Sequence, residues 1–275
     1  MLHRCLLLDL YSSPMSKPTH DGKFRANKAL GQHFLVSEKA IRTIAEAIPV
    51  GESAIEIGPG PGAITTSVLA RVSQLTIIEK DDRFAQFWQE KTNEYPNLKV
   101  AHGDVMEVLS DVVATDNPQW IVGNLPYNIS GPLTALLASF SLSGGMVLMY
   151  QKEVGQRITA ESGTKIYGGL SVLVRHFYEP KKLIVLPPGA FNPPPKVHSM
   201  VIRLLPHGRA PKCSYEALQK TVRQGFAHRR KTIYNQFRGQ LTQEDYLSIG
   251  IDPKKRPEQL DYDDWVRITL KLGKV

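Results

Sequence analysis

The sequence predicts an α/β fold in which a Rossmann-like parallel sheet wound by helices is followed by a small all-helical domain. Short apolar runs typical of buried strands alternate with segments of helical periodicity as far as residue 206. Beyond that point only helical periodicity continues. We therefore predict a sheet domain at 23–206 and a helical domain at 207–275, preceded by a disordered extension at 1–22.

The first predicted element is an amphipathic helix over Ser37–Ile48, whose isoleucines recur at helical spacing behind a serine that can cap the first turn. Parallel strands are predicted at Ala54–Ile57, Leu75–Ile78, Leu98–Ala101, Trp120–Val122 and Met146–Met149, with helices among them at Ile64–Ala70, Asp82–Glu90 and Pro132–Phe140. A proline-rich loop separates Leu183–Leu186 from Val197–Leu205, which suits an antiparallel hairpin at the sheet edge. Helices of the second domain are predicted at Tyr215–Phe226, Lys231–Phe237, Tyr246–Ile249 and Asp264–Leu272.

Composition excludes several classes of protein. The 275-residue chain has 42% hydrophobic and 22% charged residues, and no apolar run approaches the length of a membrane span. Cys5 and Cys213 lack metal-type spacing, argue against a disulfide scaffold and suit a reducing compartment. A formal net charge of +8 favours polyanionic partners. We expect a cytoplasmic monomer that binds no metal and does not enter a membrane.

A glycine-rich segment, Glu56–Gly62, lies where a predicted strand turns into a helix. Glycine allows a tight turn with a ligand against the backbone, so the segment indicates a nucleotide-like ligand. Gly58, Gly60 and Ala63 also fit the dinucleotide-binding fingerprint with alanine in its last place. Glu79 ends the next strand, where a carboxylate can accept both ribose hydroxyls of either kind of cofactor. These residues alone leave the choice of cofactor open.

Asp104 favours S-adenosylmethionine over a dinucleotide. It follows the third predicted strand, where a side-chain acceptor can take the amino hydrogens of an adenine ring, whereas a pyrophosphate would gain nothing from it. Simpler interpretations exist for both acidic residues. Asp104 can cap a helix that starts at Val105, and Glu79 can cap a helix or pair with Lys80.

The tetrapeptide Asn124-Leu125-Pro126-Tyr127 follows the fourth predicted strand, at the edge where open α/β folds bind ligands. The Asn124 amide oxygen and the Leu125 carbonyl could accept the hydrogens of adenine's exocyclic amino group and make its nitrogen more nucleophilic. Tyr127 could stack on the same base, so we predict methylation of an adenine amino group. The alternative is a structural turn in which Pro126 fixes the backbone and Tyr127 covers the core.

A second aromatic residue, Phe191, opens the proline-rich loop 191–199. A ring on a rigid loop could form the second wall of the base pocket, and we assign this role to Phe191. The alternative is plain packing in the core.

Six segments taken together resemble the ribosomal RNA adenine N6-dimethyltransferase family. They are Gly31–Leu35, Glu56–Gly62, Glu79, Gly103–Asp104, Asn124–Tyr127 and Phe191–Ser199. The resemblance covers Asn27 to Lys271 and is closest to the bacterial small-subunit members. It implies a class I methyltransferase sheet that uses S-adenosylmethionine to dimethylate two adjacent adenosines in the 3′-terminal hairpin of 16S rRNA, within the immature 30S subunit.

The resemblance also implies roles for individual residues. His33 and Leu35 would contact the methionine end of the cofactor, Gly58 and Gly60 its backbone cradle, Glu79 its ribose and Asp104 its adenine, with Asn124 between donor and acceptor. His33 stands where relatives often carry asparagine. The basic residues Arg229, Arg230 and Lys231 are similar to a family segment that opens a helix and would grip rRNA phosphates, although a solvated helix end is the simpler interpretation.

Three other functions stay open. A relative that methylates one adenine of 23S rRNA has the same chemistry, although Leu125 and the loop 191–199 favour the small-subunit target. A non-catalytic ribosome-assembly or nucleic-acid-binding factor is less consistent with an intact Asn124 and Tyr127. A DNA adenine methyltransferase also fits, because the motifs do not distinguish RNA from DNA.

Overall fold

The structure of the protein is a computed structural model that describes residues 26–27 and 32–273. The predicted extension at 1–22 lies outside the described residues. Within them, no helix combines the length and the apolar character that crossing a membrane requires.

Seven strands form the main sheet. The strands of the described residues are β1 (Phe34–Leu35), β2 (Ser53–Ile57), β3 (Gln74–Glu79), β4 (Leu98–His102), β5 (Trp120–Asn124), β6 (Gly145–Gln151), β7 (Tyr178–Leu186), β8 (Phe191–Asn192) and β9 (Ser199–Pro206). The sheet order is β4-β3-β2-β5-β6-β9-β7, and β1 pairs with β8 in a separate ribbon. Strands β2 to β6 pair in parallel, whereas β9 is antiparallel to β6 and β7. The predicted parallel sheet and its antiparallel edge hairpin are confirmed.

The central strands are apolar because helices cover both faces of the sheet. Side chains alternate between faces along a strand, so Ile55 and Ile57 belong to one core and Ala54 to the other. The edge strand β7 begins at Tyr178, earlier than predicted. Its first half, 179–182, is largely charged and exposed, as suits an edge, and therefore lacks the apolar pattern of a buried strand.

Every predicted helix overlaps a helix of the structure. The helices of the described residues are α1 (Glu38–Glu46), α2 (Thr65–Leu69), α3 (Asp82–Lys91), α4 (Val105–Asp116), α5 (Ser130–Leu137), α6 (Lys152–Ile158), α7 (Gly169–Val174), α8 (Tyr215–Gly225), α9 (Ile233–Gln236), α10 (Gln243–Ser248) and α11 (Tyr262–Lys271). The Ser37 hydroxyl caps α1, as predicted, by accepting the Ala40 N–H at 3.4 Å. The sequence does not predict α6 and α7, because both are short and α7 is too buried to show a polar face.

The region after residue 206 contains α8 to α11 and no strand among its described residues. Its core is continuous with that of the sheet, since Leu218 and Trp265 belong to the same buried cluster as Leu133 of α5. The Tyr215 hydroxyl also donates to the Ala135 carbonyl at 2.5 Å. Residue 206 therefore marks a change of secondary structure without a break in packing, and the division into two domains stays a prediction.

Close packing of α8 on α11 yields a stability prediction. A methyl group at Gly225 would come within 2.3 Å of the Trp265 ring, so we expect Gly225→Ala to lower the free energy of unfolding by about 1–3 kcal/mol. Gly131 of α5 is the matched control, because a methyl group there meets no atom within 4 Å. Urea unfolding compares the variants. A Gly225→Ala protein as stable as Gly131→Ala would contradict the packing.

Candidate active site

A cavity opens at the carboxyl edge of the sheet, beside the ends of β2, β3, β4 and β5. The loops that follow these strands line it, together with residues 32–35. Open α/β folds bind their ligands at this edge. Its lining includes His33, Leu35, Gly58, Gly60, Glu79, Asp104, Asn124, Leu125, Pro126 and Tyr127. The structure thus brings together all the predicted cofactor and catalytic positions except Phe191.

Hydrogen bonds from Trp88 and to Glu79 hold the glycine-rich loop in shape. Gly58 and Gly60 have φ angles of +66° and +52°, a region that favours glycine. The Trp88 indole donates to the Gly60 carbonyl at 2.8 Å, and the Gly60 N–H donates to Glu79 at 3.0 Å. A methyl group at Gly58 would meet no atom within 4 Å. The backbone at Gly58 therefore borders open space, where a ligand can approach it.

Glu79 is buried and fixed by backbone donors. Its two oxygens accept the N–H groups of Gly60 and Asp81 at 3.0 and 2.8 Å. Burial raises the pKa of Glu79, although these hydrogen bonds act in the opposite direction. Lys80 forms its ion pair with Asp104, at 2.7 Å, so pairing of Glu79 with Lys80 is wrong. Each carboxylate oxygen has more than one lone pair, so Glu79 can accept a further hydrogen bond from a ribose hydroxyl. The ribose contact stays a prediction.

Asp104 caps α4, as its simpler interpretation predicts. Its Oδ1 accepts the Met106 N–H at 2.9 Å, while Oδ2 accepts from Lys80. The hydrogen bond from Lys80, helped by that from Met106, holds the pKa of Asp104 below its usual value. The Lys80 side chain is 61% exposed and so can leave Oδ2 when another donor arrives. The adenine contact of Asp104 stays a prediction.

Asn124 is the last residue of β5, and its side-chain amide oxygen accepts no hydrogen bond from the described residues. Its Nδ2 donates to the His33 carbonyl at 3.1 Å. Because a carbonyl can only accept, this bond assigns the two ends of the amide and leaves Oδ1 on the other side. Oδ1 is buried and has no hydrogen-bond partner among the described residues. A buried acceptor of this kind costs free energy until a donor reaches it, so Asn124 is suited to a ligand N–H.

The rest of the tetrapeptide forms a turn that also lines the cavity. The Leu125 N–H donates to the Met149 carbonyl of β6 at 3.2 Å, which ties the turn to the sheet. The Tyr127 hydroxyl lies 2.7 Å from Ser199 Oγ, and its ring is nearly parallel to the His33 imidazole. Burial raises the pKa of Tyr127, so the side chain is a neutral phenol at neutral pH.

Phe191 does not line the cavity. It lies in β8 opposite Leu35 of β1, and its side chain is 3% exposed within the core. The ring packs in the core beside Leu35, which does line the cavity, and the role of Phe191 as the second wall of a base pocket stays a prediction. The loop 191–199 reaches the cavity through His33 instead, whose Nδ1 lies 2.8 Å from the Pro193 carbonyl oxygen.

The basic residues 229–231 form an exposed turn between α8 and α9. The Arg229 guanidinium donates to the carbonyls of Lys165 and Tyr167 at 2.9 and 2.6 Å, which ties the turn to the loop between α6 and α7. The side chains of Arg230 and Lys231 form no hydrogen bond or ion pair with the described residues. They are therefore open to contact with a polyanion.

Comparison with known proteins decides the family. Residues 23–274 match the family model described as ribosomal RNA adenine dimethylase. The chain belongs to this family. It is 40% identical over 251 residues to the ribosomal RNA small subunit methyltransferase A of Nitrosococcus oceani, which covers 89% of this chain and 95% of the relative. The protein of the same name from Acinetobacter baylyi is 37% identical over 269 residues, or 96% of this chain and 98% of the relative.

Solved structures show the same fold. A dimethyladenosine transferase from Plasmodium falciparum matches with a TM-score of 0.76 and 24% identity, over 88% of this chain and 98% of that one. The 23S rRNA methyltransferase ErmE matches with a TM-score of 0.64 and 21% identity, over 88% of this chain and all of that one, 100%. These likenesses confirm the predicted class I methyltransferase fold.

Glu56 is a cavity residue of this dimethylase-family protein for which sequence reasoning found no separate role. It lies in β2, is 1% exposed, and its Oε2 has no hydrogen-bond partner among the described residues. Burial, with a smaller effect from the charge of Glu79, raises the pKa of Glu56 to about 8. The carboxyl group is therefore largely neutral at neutral pH. Its sequence signal is an acidic residue inside an otherwise apolar strand.

The pKa of Glu56 predicts a pH dependence of stability. The folded protein keeps a proton that the unfolded chain releases once the pH exceeds the ordinary value of 4.5, so stability falls as the pH rises towards about 8. Glu56→Gln removes this titration, and its advantage over the wild type should grow with pH, to about 1.4 kcal/mol per unit of pKa difference. Urea unfolding at about pH 5 and pH 8 measures it, with the exposed Glu46→Gln as control. Parallel pH profiles for wild type and Glu56→Gln would refute this assignment.

Proposed function

We propose that this protein uses S-adenosylmethionine to dimethylate the exocyclic amino groups of two adjacent adenosines in the 3′-terminal hairpin of 16S rRNA, acting as a cytoplasmic monomer on the immature 30S subunit. The family supports the chemistry, and the names of the bacterial relatives support the small-subunit target. The buried free thiol of Cys213 suits a reducing compartment. The observation that carries the proposal is the buried Oδ1 of Asn124, which lacks a donor among the described residues.

An adenine amino group offers the N–H donor that Asn124 Oδ1 lacks. Its lone pair is delocalised into the ring, and acceptors placed at its hydrogens make the nitrogen more nucleophilic. Asn124 is fixed for this role by its own bond to the His33 carbonyl, so no reorganisation is needed. Leu125 would supply a second acceptor from its carbonyl. The protein thus contributes mainly position and electrostatics.

The residues around the glycine-rich loop fit S-adenosylmethionine, which when bound supplies the methyl group on a sulfonium centre. The open space beside Gly58 admits a ligand against the backbone. Glu79 would accept ribose hydroxyls, and Asp104 would exchange Lys80 for the adenine amino group. His33 and Leu35 also line the cavity, where they would hold the methionine end.

The basic turn extends the proposal to the RNA. Arg230 and Lys231 would contact phosphates directly, because their side chains are exposed and unengaged by the described residues. Arg229 would act in part through the loop that it holds, since its guanidinium already donates to two carbonyls. Phosphate contacts of this kind position a structured RNA without reading its sequence.

Transfer of labelled methyl groups tests the proposed function. Purified protein and S-adenosylmethionine are incubated with 30S subunits that lack the modification, with modified 30S and 50S subunits as controls, and the nucleosides are analysed. We expect dimethyladenosine only in the unmodified 30S sample. Incorporation into 50S RNA would keep the chemistry and change the target, whereas none in any particle would favour a non-catalytic binding factor.

Asn124→Ala should lower methyl transfer to unmodified 30S subunits by about a hundredfold or more, because it removes the acceptor that activates the amino group. RNA binding should persist, since the substitution removes no positive charge. Transfer rates and filter binding measure the two effects, and Asn93→Ala, at an exposed asparagine of another loop, serves as control. Loss of binding together with transfer would make Asn124 a structural residue.

Replacing Arg230 and Lys231 together by alanine should weaken RNA binding and reduce the salt dependence of the binding constant. Each lost phosphate contact lowers the slope of log K against log salt by about 1, so we expect a decrease of about 2. The control is Lys91→Ala with Lys99→Ala, which removes the same charge at the end of α3 and on the edge strand β4. An equal change in slope for both pairs would show that net charge alone is responsible.

A further inference from the structure

A second cavity, of about 380 Å³, lies where the helices after residue 206 meet the sheet. The start of β7, the residues that follow β9, the loop between α6 and α7 and the start of α11 border it. Its volume is in the range of pockets that bind small molecules. It shares no lining residue with the cavity at the carboxyl edge of the sheet. We call it the junction cavity, and its charged lining residues are Glu161, Arg175, Glu179, Arg209, Asp261 and Asp263.

The Tyr167 hydroxyl at this cavity has no hydrogen-bond partner among the described residues. The side chain is 1% exposed, its ring packs beside Phe226 and its carbonyl accepts from Arg229, so the residue is fixed in place. Burial raises the pKa of the hydroxyl against the opposing charge of Arg175, and the charge of Asp261 adds to the rise. Because Arg175 and Asp261 both line the junction cavity, the hydroxyl end of the ring points towards it. A buried hydroxyl without a partner costs free energy until a ligand supplies one.

Negative charge is in excess around the junction cavity. Its lining contains four carboxylates against two guanidinium groups among the described residues. The Arg175 guanidinium is already engaged, because it donates to two backbone carbonyls and pairs with Glu161 at 2.9 Å. The other carboxylates form no ion pair with the described residues, and they belong to Glu179, Asp261 and Asp263. The cavity therefore favours a cation.

The imidazole of His207 does not offset this charge. Its Nδ1 accepts the Arg209 backbone N–H at 3.1 Å, and its Nε2 lies 3.1 Å from the Arg175 carbonyl oxygen. A ring that accepts at Nδ1 and donates from Nε2 is the neutral imidazole. His207 therefore adds no positive charge to the lining.

The arrangement of the carboxylates indicates the kind of cation. No group of three His, Cys, Asp or Glu side chains among the described residues is arranged to hold a metal ion. The unpaired carboxylates come from two elements, since Glu179 belongs to β7 while Asp261 and Asp263 stand at the start of α11. A ligand that reaches all of them needs positive charge at more than one point along its length.

We propose that the junction cavity binds a small organic polycation, such as a polyamine. Its ammonium groups would lie at the carboxylates of Glu179, Asp261 and Asp263, and one of its N–H groups would donate to the Tyr167 hydroxyl. Such a ligand would bridge β7 of the sheet and the last helix, α11. The inference goes beyond the proposed function and does not depend on methyl transfer.

Calorimetric titration of the whole chain with spermidine at low salt tests the site. We expect the wild type to bind at a single site. Tyr167→Phe should raise Kd about tenfold, because it removes a hydrogen bond to a charged group. Glu179→Gln with Asp263→Asn should raise Kd about fivefold, since exposed charge contacts are individually weak. Butylamine should bind about tenfold more weakly than spermidine, because it carries a single ammonium group.

Controls of the same chemistry lie outside the junction cavity. Tyr95→Phe removes a hydroxyl in the loop before β4, and Glu90→Gln with Asp111→Asn removes two exposed carboxylates. Both control proteins should bind spermidine as the wild type does. In urea without ligand, Tyr167→Phe should be at least as stable as the wild type, because the hydroxyl that it removes has no partner.

Several results would overturn the site. Equal affinity for spermidine in the wild type, the cavity variants and the controls would show a general attraction of cations to acidic surface. Butylamine that binds as tightly as spermidine would exclude a polycation site, and binding of inorganic phosphate in place of spermidine would show that the arginines select an anion. A Tyr167→Phe protein less stable than the wild type without ligand would give the hydroxyl a structural contact instead.

Discussion

The parallel register of β2 and β5 is the constraint on which the site depends. Ile57 lies opposite Gly123, so the glycine-rich loop and Asn124 leave the sheet side by side. A methyl group at Gly123 would come within 2.7 Å of the Ile57 carbonyl oxygen, and only glycine permits this approach. The group that would cradle a cofactor and the group that would meet the substrate are therefore neighbours because two central strands are closely paired.

Much of the sheet and of the cavity could be predicted from the sequence for a simple reason. Strands covered on both faces are continuous apolar runs, and parallel strands end at one edge, so polar residues at their ends must meet. Glu79, Asp104 and Asn124 each follow or end such a run, and the structure brings them to one cavity. The helices α6 and α7 lack a comparable signal, because both are short and burial of α7 removes its amphipathic pattern.

The contacts that could not be predicted depend on pairings between distant segments. The direction of the Phe191 ring follows from the register of β1 with β8, in which Leu35 is its partner, and a shift of one residue would turn it to the other face. From the sequence alone, Arg229 is expected to be a cation without a partner in the protein. Its carbonyl partners belong to a loop between two helices that the sequence does not reveal, so its structural contact becomes visible only in the folded chain.

Polar groups in the cavity differ in whether the protein itself supplies their hydrogen-bond donors. Those on the proposed cofactor side have donors from the chain, whereas the acceptor at the proposed reacting position has none among the described residues. Glu79 and Asp104 already hold donors from the chain, so the part of the site that would receive the cofactor keeps its shape without one. Asn124 Oδ1 has no such donor, and its desolvation lowers the stability of the ligand-free fold. At the proposed reacting position, a donor that arrives at this atom would recover this free energy. In the proposed reaction the unsatisfied acceptor would thus link binding to the orientation that methyl transfer needs, and a hydrogen bond from the chain to Oδ1 would stabilise the fold at the expense of that link.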